Sequence, residues 1–191
     1  RGYIEDELCG CRFCISSKSF YQVNSAQTEI LYNKAMEFAN LKDGDTVIDA
    51  YCGIGTIGIT AAMNARKAGR SCRITGVELN ASAVKDAIGN ALNKLDNIRF
   101  TCADAGDFMT ELAARRERAD VVFMDPPRTG SDTRFLSCLT RLAPSRIVYI
   151  SCGPDTLARD LKYLTRKGYV VERMTGVDLF PMTKHVETVC L

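Results

Sequence analysis

Two kinds of hydrophobic spacing take turns along this chain. Short runs rich in β-branched residues alternate with longer stretches whose apolar positions recur at helical spacing. They predict strands at 46–50, 73–78, 98–102, 120–124 and 146–151 and helices at 56–68, 80–93, 106–117 and 132–141. A further helix starts at Pro154, a favoured first helical position, carries Leu157, Leu161 and Leu164 on one face, and stops at Gly168. Two closing strands, 169–177 and 186–191, flank Pro181. Ahead of this series Asn24 is placed to cap a helix with Gln27 as its third residue and Ile30, Leu31, Ala35 and Phe38 as its apolar face. Segments 3–8, 12–15 and 20–23 alternate more briefly and predict a small β-ribbon.

Five β/α units followed by a strand pair imply an α/β, Rossmann-like fold: a doubly wound, mainly parallel seven-stranded sheet with a terminal antiparallel pair. No linker, repeat or low-complexity segment divides 24–191, which reads as one three-layer domain. Residues 1–23 read as a lead-in ribbon, the remnant of an upstream domain. Arg1 stands where an initiator Met would, and the chain is expected to be a piece of a longer protein, with the missing part mainly upstream.

Composition narrows the classes. The sequence has 191 residues, 46% of them apolar, and no run of about 18 apolar residues such as a membrane span needs. A net charge of +2 gives the whole domain little pull on nucleic acid, and the basic clusters Arg66, Lys67, Arg70, Arg73 and Arg115, Arg116, Arg118 read as solvated helix ends. Nine scattered cysteines without an export signal point to reduced thiols in a cytoplasm. Cys9, Cys11 and Cys14 lack a fourth Cys or His at metal-ligand spacing and read as structural, so no metal site is expected.

In a doubly wound sheet, ligands lie beyond the carboxyl ends of the strands, near the switch point. The first parallel strand ends in Asp49 and Tyr51 and runs into Gly53, Gly55 and Gly58, which fit G-x-G-x-x-G; Glu78 ends the next strand twenty residues beyond Gly58. Together they announce a nucleoside-like ligand without saying which. The fourth strand ends in Asp125-Pro126-Pro127-Arg128, a rigid turn that presents acceptors to an amine or a base edge. The fifth ends in Ser151-Cys152-Gly153-Pro154, a thiol before a helix N-terminus, where the partial positive charge favours thiolate. If the last strand runs antiparallel beside the fifth, Glu187 meets Cys152 at one sheet edge, and acid and thiol share a substrate. His185, the only histidine, is flanked by loop-like Thr183 and Lys184, so Glu187 is the preferred base.

Taken together these motifs resemble the bacterial RNA uracil-5 methyltransferases that use S-adenosylmethionine. The resemblance spans nearly the whole chain. It rests on Ser19-Phe20-Tyr21-Gln22-Val23-Asn24 with Gln27, Asp49-Ala50-Tyr51-Cys52-Gly53-Ile54-Gly55, Gly76-Val77-Glu78, Asp125-Pro126-Pro127-Arg128, Ser151-Cys152-Gly153-Pro154 with Thr156-Leu157-Ala158-Arg159-Asp160, and His185-Val186-Glu187-Thr188. It implies a class I methyltransferase fold, with Gln22, Tyr51, Gly53, Gly55, Thr56, Glu78, Asp104 and Asp125 lining the pocket for S-adenosylmethionine and the adjoining uracil. It implies Cys152 as nucleophile and Glu187 as base. The Leu157-Ala158-Arg159-Asp160 continuation is more similar to the 23S ribosomal RNA branch than to the transfer RNA branch, which stays as the alternative. The family's usual Asn after the catalytic Cys is Gly153 here, which removes whatever contact that side chain makes.

Uracil C5 is a poor nucleophile, so thiolate addition at C6 is the step that makes methylation feasible, and a base must then take the C5 proton. The target uridine must be single-stranded or flipped out, with Phe20, Tyr21 or Arg128 available to stack on it. The resemblance also implies an upstream RNA-binding module and, in many members, upstream iron–sulfur cysteines; the spacing of Cys9, Cys11 and Cys14 does not match such a cluster. Two other readings stay open at this stage. One is an NAD-dependent oxidoreductase, which leaves Asp125 and Cys152 without roles; the other is a cofactor- or RNA-binding piece that does not turn over alone.

Overall fold

The computed structural model describes residues 2–92 and 94–191, so Arg1 and Asn93, the last residue of the predicted 80–93 helix, lie outside the described residues. A two-stranded antiparallel ribbon, β1 (Tyr3–Leu8) and β2 (Cys11–Ser16), precedes α1 (Ser25–Ala39). Then come β3 (Thr46–Ala50), α2 (Thr56–Lys67), β4 (Arg73–Glu78), α3 (Ala81–Ala91), β5 (Ile98–Cys102), α4 (Ala105–Ala114), β6 (Val121–Met124) and α5 (Thr133–Leu142). The chain closes with β7 (Arg146–Ser151), α6 (Pro154–Arg166), β8 (Met174–Val177) and β9 (Glu187–Cys190). The main sheet has seven strands in the order β5-β4-β3-β6-β7-β9-β8. Strands β5, β4, β3, β6 and β7 pair in parallel, and β9 runs antiparallel to both β7 and β8. The strand order reverses between β3 and β6, so the glycine turn after β3 sits at the switch point.

Strands buried on both faces explain the continuous apolar runs. On one face Val47, Ile74, Phe123 and Ile150 pack with residues of α1, α2 and α3; on the other Ile48, Val77, Met124 and Tyr149 pack with residues of α4, α5 and α6. The core is therefore two clusters with the sheet between them.

The ribbon joins the first of these clusters, since Leu8, Phe13 and Ile15 are buried within it. Hydrogen bonds fix it to α3. Asn90, 2% exposed, accepts from the Cys14 amide (2.7 Å) and donates to the carbonyls of Cys14 (3.2 Å) and Ile54 (3.3 Å), tying ribbon, helix and glycine turn together. Asp86 accepts from both Ser16 and Ser19 hydroxyls at 2.7 Å.

Two expectations are corrected. Residues 20–23 form no strand: after the Ser16–Ser19 turn they lead into the α1 cap, where Asn24 accepts from the Gln27 amide (3.3 Å) and donates to the Leu179 carbonyl (3.0 Å). The strand expected at 169–177 is only Met174–Val177. Of the apolar residues before it, Tyr169 serves the end of α6, its amide donating to the Leu164 carbonyl (3.2 Å) and its hydroxyl to that of Pro144 (3.1 Å), while Val170 and Val171 are exposed.

Candidate active site

The turn after β3 is made of backbone. Tyr51 (φ 64°), Gly53 (φ 53°) and Gly55 (φ 83°) all take left-handed conformations, and Gly55 caps α2. A Cβ on Gly55 would lie 2.8 Å from the Phe100 ring, whereas one on Gly53 would meet nothing within 4 Å. The first glycine is needed for packing, and the second borders open space.

Glu78, at the end of β4, holds this turn in shape. One carboxylate oxygen accepts the Gly53 amide (3.0 Å) and the other the Asn80 amide (2.7 Å), leaving a lone pair on each for a further donor. Beneath the turn Asp49 is 0% exposed and accepts the Gly58 amide at 2.7 Å, while its second oxygen has no hydrogen-bond partner. Burial pushes its carboxyl up to about 7, with the Gly58 amide opposing the rise and the charge of Glu78 adding to it. Tyr51 stacks its ring on Phe135 (centroids 5.3 Å apart) and donates from its hydroxyl to Ser131 (3.4 Å).

The other expected cofactor residues are less uniform. Thr56 is buried, its hydroxyl 3.2 Å from that of Tyr32. Asp104 caps α4 by accepting the Asp107 amide (3.0 Å) and pairs with Arg134 (2.8 Å), so its visible partners are structural. Gln22 is half-buried in the 20–24 segment, which the Asn24–Leu179 bond fastens to the loop leading to β9.

The second group stands beyond β6, β7 and β9. In the antiparallel register Ser151 faces Thr188, so one further step sets Cys152 opposite Glu187, as the sequence required. Asp125 follows the last residue of β6, which pairs with both Ala50 and Tyr149. Glu187 is only 4% exposed; Cys152 is half-buried. His185 lies in the preceding loop with its ring edge-on to Phe180.

Burial dominates the electrostatics of this group. It pushes the Cys152 thiol up; the Glu187 and Asp125 carboxylates push it further, and the Arg128 guanidinium opposes them. Glu187 is also raised by burial and lowered by Arg128. Asp125 is pushed up to about 8 by burial, then by Glu187 and Asp49. The lowering expected from the helix terminus is outweighed, first by burial of the thiol and then by the Glu187 and Asp125 carboxylates beside it.

Some of this was missed in the sequence. Arg128 entered only as a stacking candidate, yet it is the cation acting on both Cys152 and Glu187. Asp49 had a signal, being a carboxylate inside an apolar strand. So did Asp160, which interrupts the apolar stripe of Leu157, Leu161 and Leu164.

Comparisons with known proteins bear on the family and the fold. A family model described as tRNA (Uracil-5-)-methyltransferase matches residues 9–191. An uncharacterized RNA methyltransferase of Halalkalibacterium halodurans is 46% identical over 190 residues, 99% of this chain and 40% of that protein. One of Staphylococcus aureus is 48% identical over 189 residues, 98% of this chain and 40% of that protein. The chain thus spans about 40% of the length of the curated relatives it matches. Among solved structures, the Pyrococcus abyssi tRNA (uracil-54, C5)-methyltransferase in complex with S-adenosyl-L-homocysteine superposes with a TM-score of 0.81 at 34% identity, over 100% of this chain and 44% of that one. An Agrobacterium tumefaciens SAM-dependent methyltransferase, with a TM-score of 0.74 at 16% identity over 100% of this chain and 70% of that one, shares the fold.

Proposed function

The chain belongs to the tRNA (uracil-5-)-methyltransferase family, and on that premise we propose that it transfers a methyl group from S-adenosylmethionine to C5 of a uridine in RNA. The observation that carries the reading is the antiparallel pairing of β9 with β7, which sets Glu187 across from Cys152 at the carboxyl edge of the sheet.

The cofactor reading is supported by the turn itself. Half-buried Gly53 has open space where a Cβ would stand, and Glu78 keeps a free lone pair on each oxygen beside it. Gly53, Gly55, Tyr51, Glu78, Asp125 and Gln22 would hold S-adenosylmethionine. Thr56 and Asp104 would act behind them, through Tyr32 and through the α4 cap. When bound, S-adenosylmethionine supplies an electrophilic methyl group.

The chain's own residues then perform addition and elimination. Cys152 loses its proton to solvent, with Arg128 offsetting the carboxylate charge around it, and adds to uracil C6. The electron pair displaced by the new S–C bond makes C5 nucleophilic toward the methyl group. Glu187, whose burial makes it a stronger base than an exposed carboxylate, next takes the C5 proton; the C5–C6 double bond re-forms and the thiolate leaves. The uridine reaches this edge only unpaired or flipped out, and Phe20, 77% exposed, is available to stack on it.

We take 23S ribosomal RNA as the target, on the Leu157-Ala158-Arg159-Asp160 continuation, with transfer RNA as the competing substrate. Labelled methyl transfer to unmodified transcripts of each separates them, and Cys152→Ala abolishes transfer to either. Transfer that survives Cys152→Ala would refute the covalent route. Cofactor binding with no methylation of any RNA would favour a non-catalytic piece, and a calorimetric preference for NAD would favour the oxidoreductase.

A further inference from the structure

We propose that Arg159 and Asp160 are positioning residues: they clamp the loop that carries Arg128 onto the helix that follows Cys152, and so hold Arg128 within reach of Cys152 and Glu187. The readout through methylation rests on the function proposed above; the clamp itself stands on its hydrogen bonds.

Asp160 lies on the inward side of α6 and is 0% exposed. A buried carboxylate needs several donors to offset its lost hydration, and this one has them. It accepts from the Ser131 amide (2.8 Å), the Tyr149 hydroxyl (2.8 Å) and the Arg159 Nε (2.8 Å). Arg159 in turn donates from Nη2 to the carbonyls of Thr129 (3.0 Å) and Ser131 (3.0 Å). Thr156, one turn earlier, shares its hydroxyl proton between the carbonyls of Gly153 (3.0 Å) and Arg128 (3.2 Å). The backbone of residues 128, 129 and 131 is therefore gripped from one helix.

The loop is threaded tightly through this grip. At Gly130 (φ +73°) a Cβ would lie 2.5 Å from Arg159 Nη2 and 2.8 Å from the Asp160 carboxylate, so only glycine fits. Exposed loops are not ordinarily held by a fully buried charge. Here the loop runs from Asp125, at the end of β6, to α5, while α6 begins two residues after Cys152. The clamp joins the two strand ends on which the chemistry depends.

Three charged groups act electrostatically on the Cys152 thiol: Glu187 from β9, Asp125 from the end of β6 and Arg128 from the clamped loop. Releasing the loop removes the influence of the cation and keeps that of the carboxylates. The test is the rate at which iodoacetamide alkylates Cys152 in the whole protein as a function of pH, followed by mass spectrometry of the Cys152 peptide. In Arg159→Ala the midpoint of alkylation moves up by about one pH unit, and methyl transfer slows with little change in the KM for S-adenosylmethionine. Arg159→Lys, which keeps the charge and loses the fork, recovers only part. Arg128→Ala gives the same upward shift, and adding Arg159→Ala to it gives no further one, because both act through one cation. A folded Arg159→Ala protein with an unchanged midpoint, or additive shifts in the double variant, would overturn the proposal. Should Arg159→Ala not fold, Thr156→Val loosens the same loop at the surface and must shift the midpoint in the same direction. An upward shift in Arg159→Ala, together with methylation that survives in a separate Cys152→Ala protein, would sink the covalent route and leave the clamp standing.

Discussion

The carboxyl edge of the sheet is built in two halves by different means. Beyond β3 and β4 the surface is backbone: three left-handed residues and a carboxylate, Glu78, already bound to two amides. Beyond β6, β7 and β9 it is side-chain charge: Asp125, Cys152 and Glu187 raised by burial, with Arg128 opposing. The first half is limited by space, since it must let a ligand approach the chain. The second is limited by protonation, since under the proposed function it holds a nucleophile and a base that exchange protons with a substrate. Changes of size should damage one half, and changes of charge the other.

The largest effect is expected from size in the backbone half. Gly55→Val adds a left-handed cost of about 1–2 kcal/mol to an overpacking cost of about 1–3 kcal/mol against Phe100 and Ala87. Denaturant melts should show the sum, and titration with S-adenosyl-L-homocysteine should show binding lost. Gly53→Ala, with open space around its Cβ, should cost only about 1–2 kcal/mol. Equal costs at the two glycines would break the distinction.

Charge in the other half gives the next effect. Glu187→Gln removes a negative charge that raises the thiol, so alkylation of Cys152 at neutral pH should speed up several-fold, by roughly the 1.36 kcal/mol of one pKa unit or less. Asp125→Asn should act the same way only above about pH 8, because below that Asp125 is already largely protonated. No change in either variant would mean that the carboxylates do not set the thiol.

A separate, pH-dependent effect belongs to Asp49 and Asp125 together. Asp49 and Asp125 titrate near 7 and 8 when folded against 3.8 in the unfolded chain, so the folded protein binds more protons between. Their contribution to stability is therefore fully present below about pH 4 and declines as pH rises toward 7 and 8. Thermal melts between pH 5 and 8 should show this decline, and Asp49→Asn should flatten its lower part.

The two halves also differed in how well they could be read. The glycine turn was legible because Gly53, Gly55, Gly58 and Glu78 form a local pattern with one geometric meaning. The β/α alternation was legible because strands buried on both faces have no polar side to confuse it. The pairing of Cys152 with Glu187 needed one topological step, the antiparallel β9, which the sequence allowed and β7 supplied. The direction of the thiol's titration was misread, because local reasoning about a helix terminus omits burial first and then Glu187 and Asp125, which arrive from other strands. The span before Met174 was misread because the apolar Tyr169 serves the end of α6.

The most direct test of the account traps the reaction between its two halves. Glu187→Gln is incubated with S-adenosylmethionine and a uridine-containing RNA substrate, digested, and examined by mass spectrometry. A methylated uridine attached to the Cys152 peptide should accumulate, and Cys152→Ala combined with Glu187→Gln should abolish it. Full turnover by Glu187→Gln without an adduct, or an adduct on another cysteine, would contradict the assignment of Cys152 and Glu187.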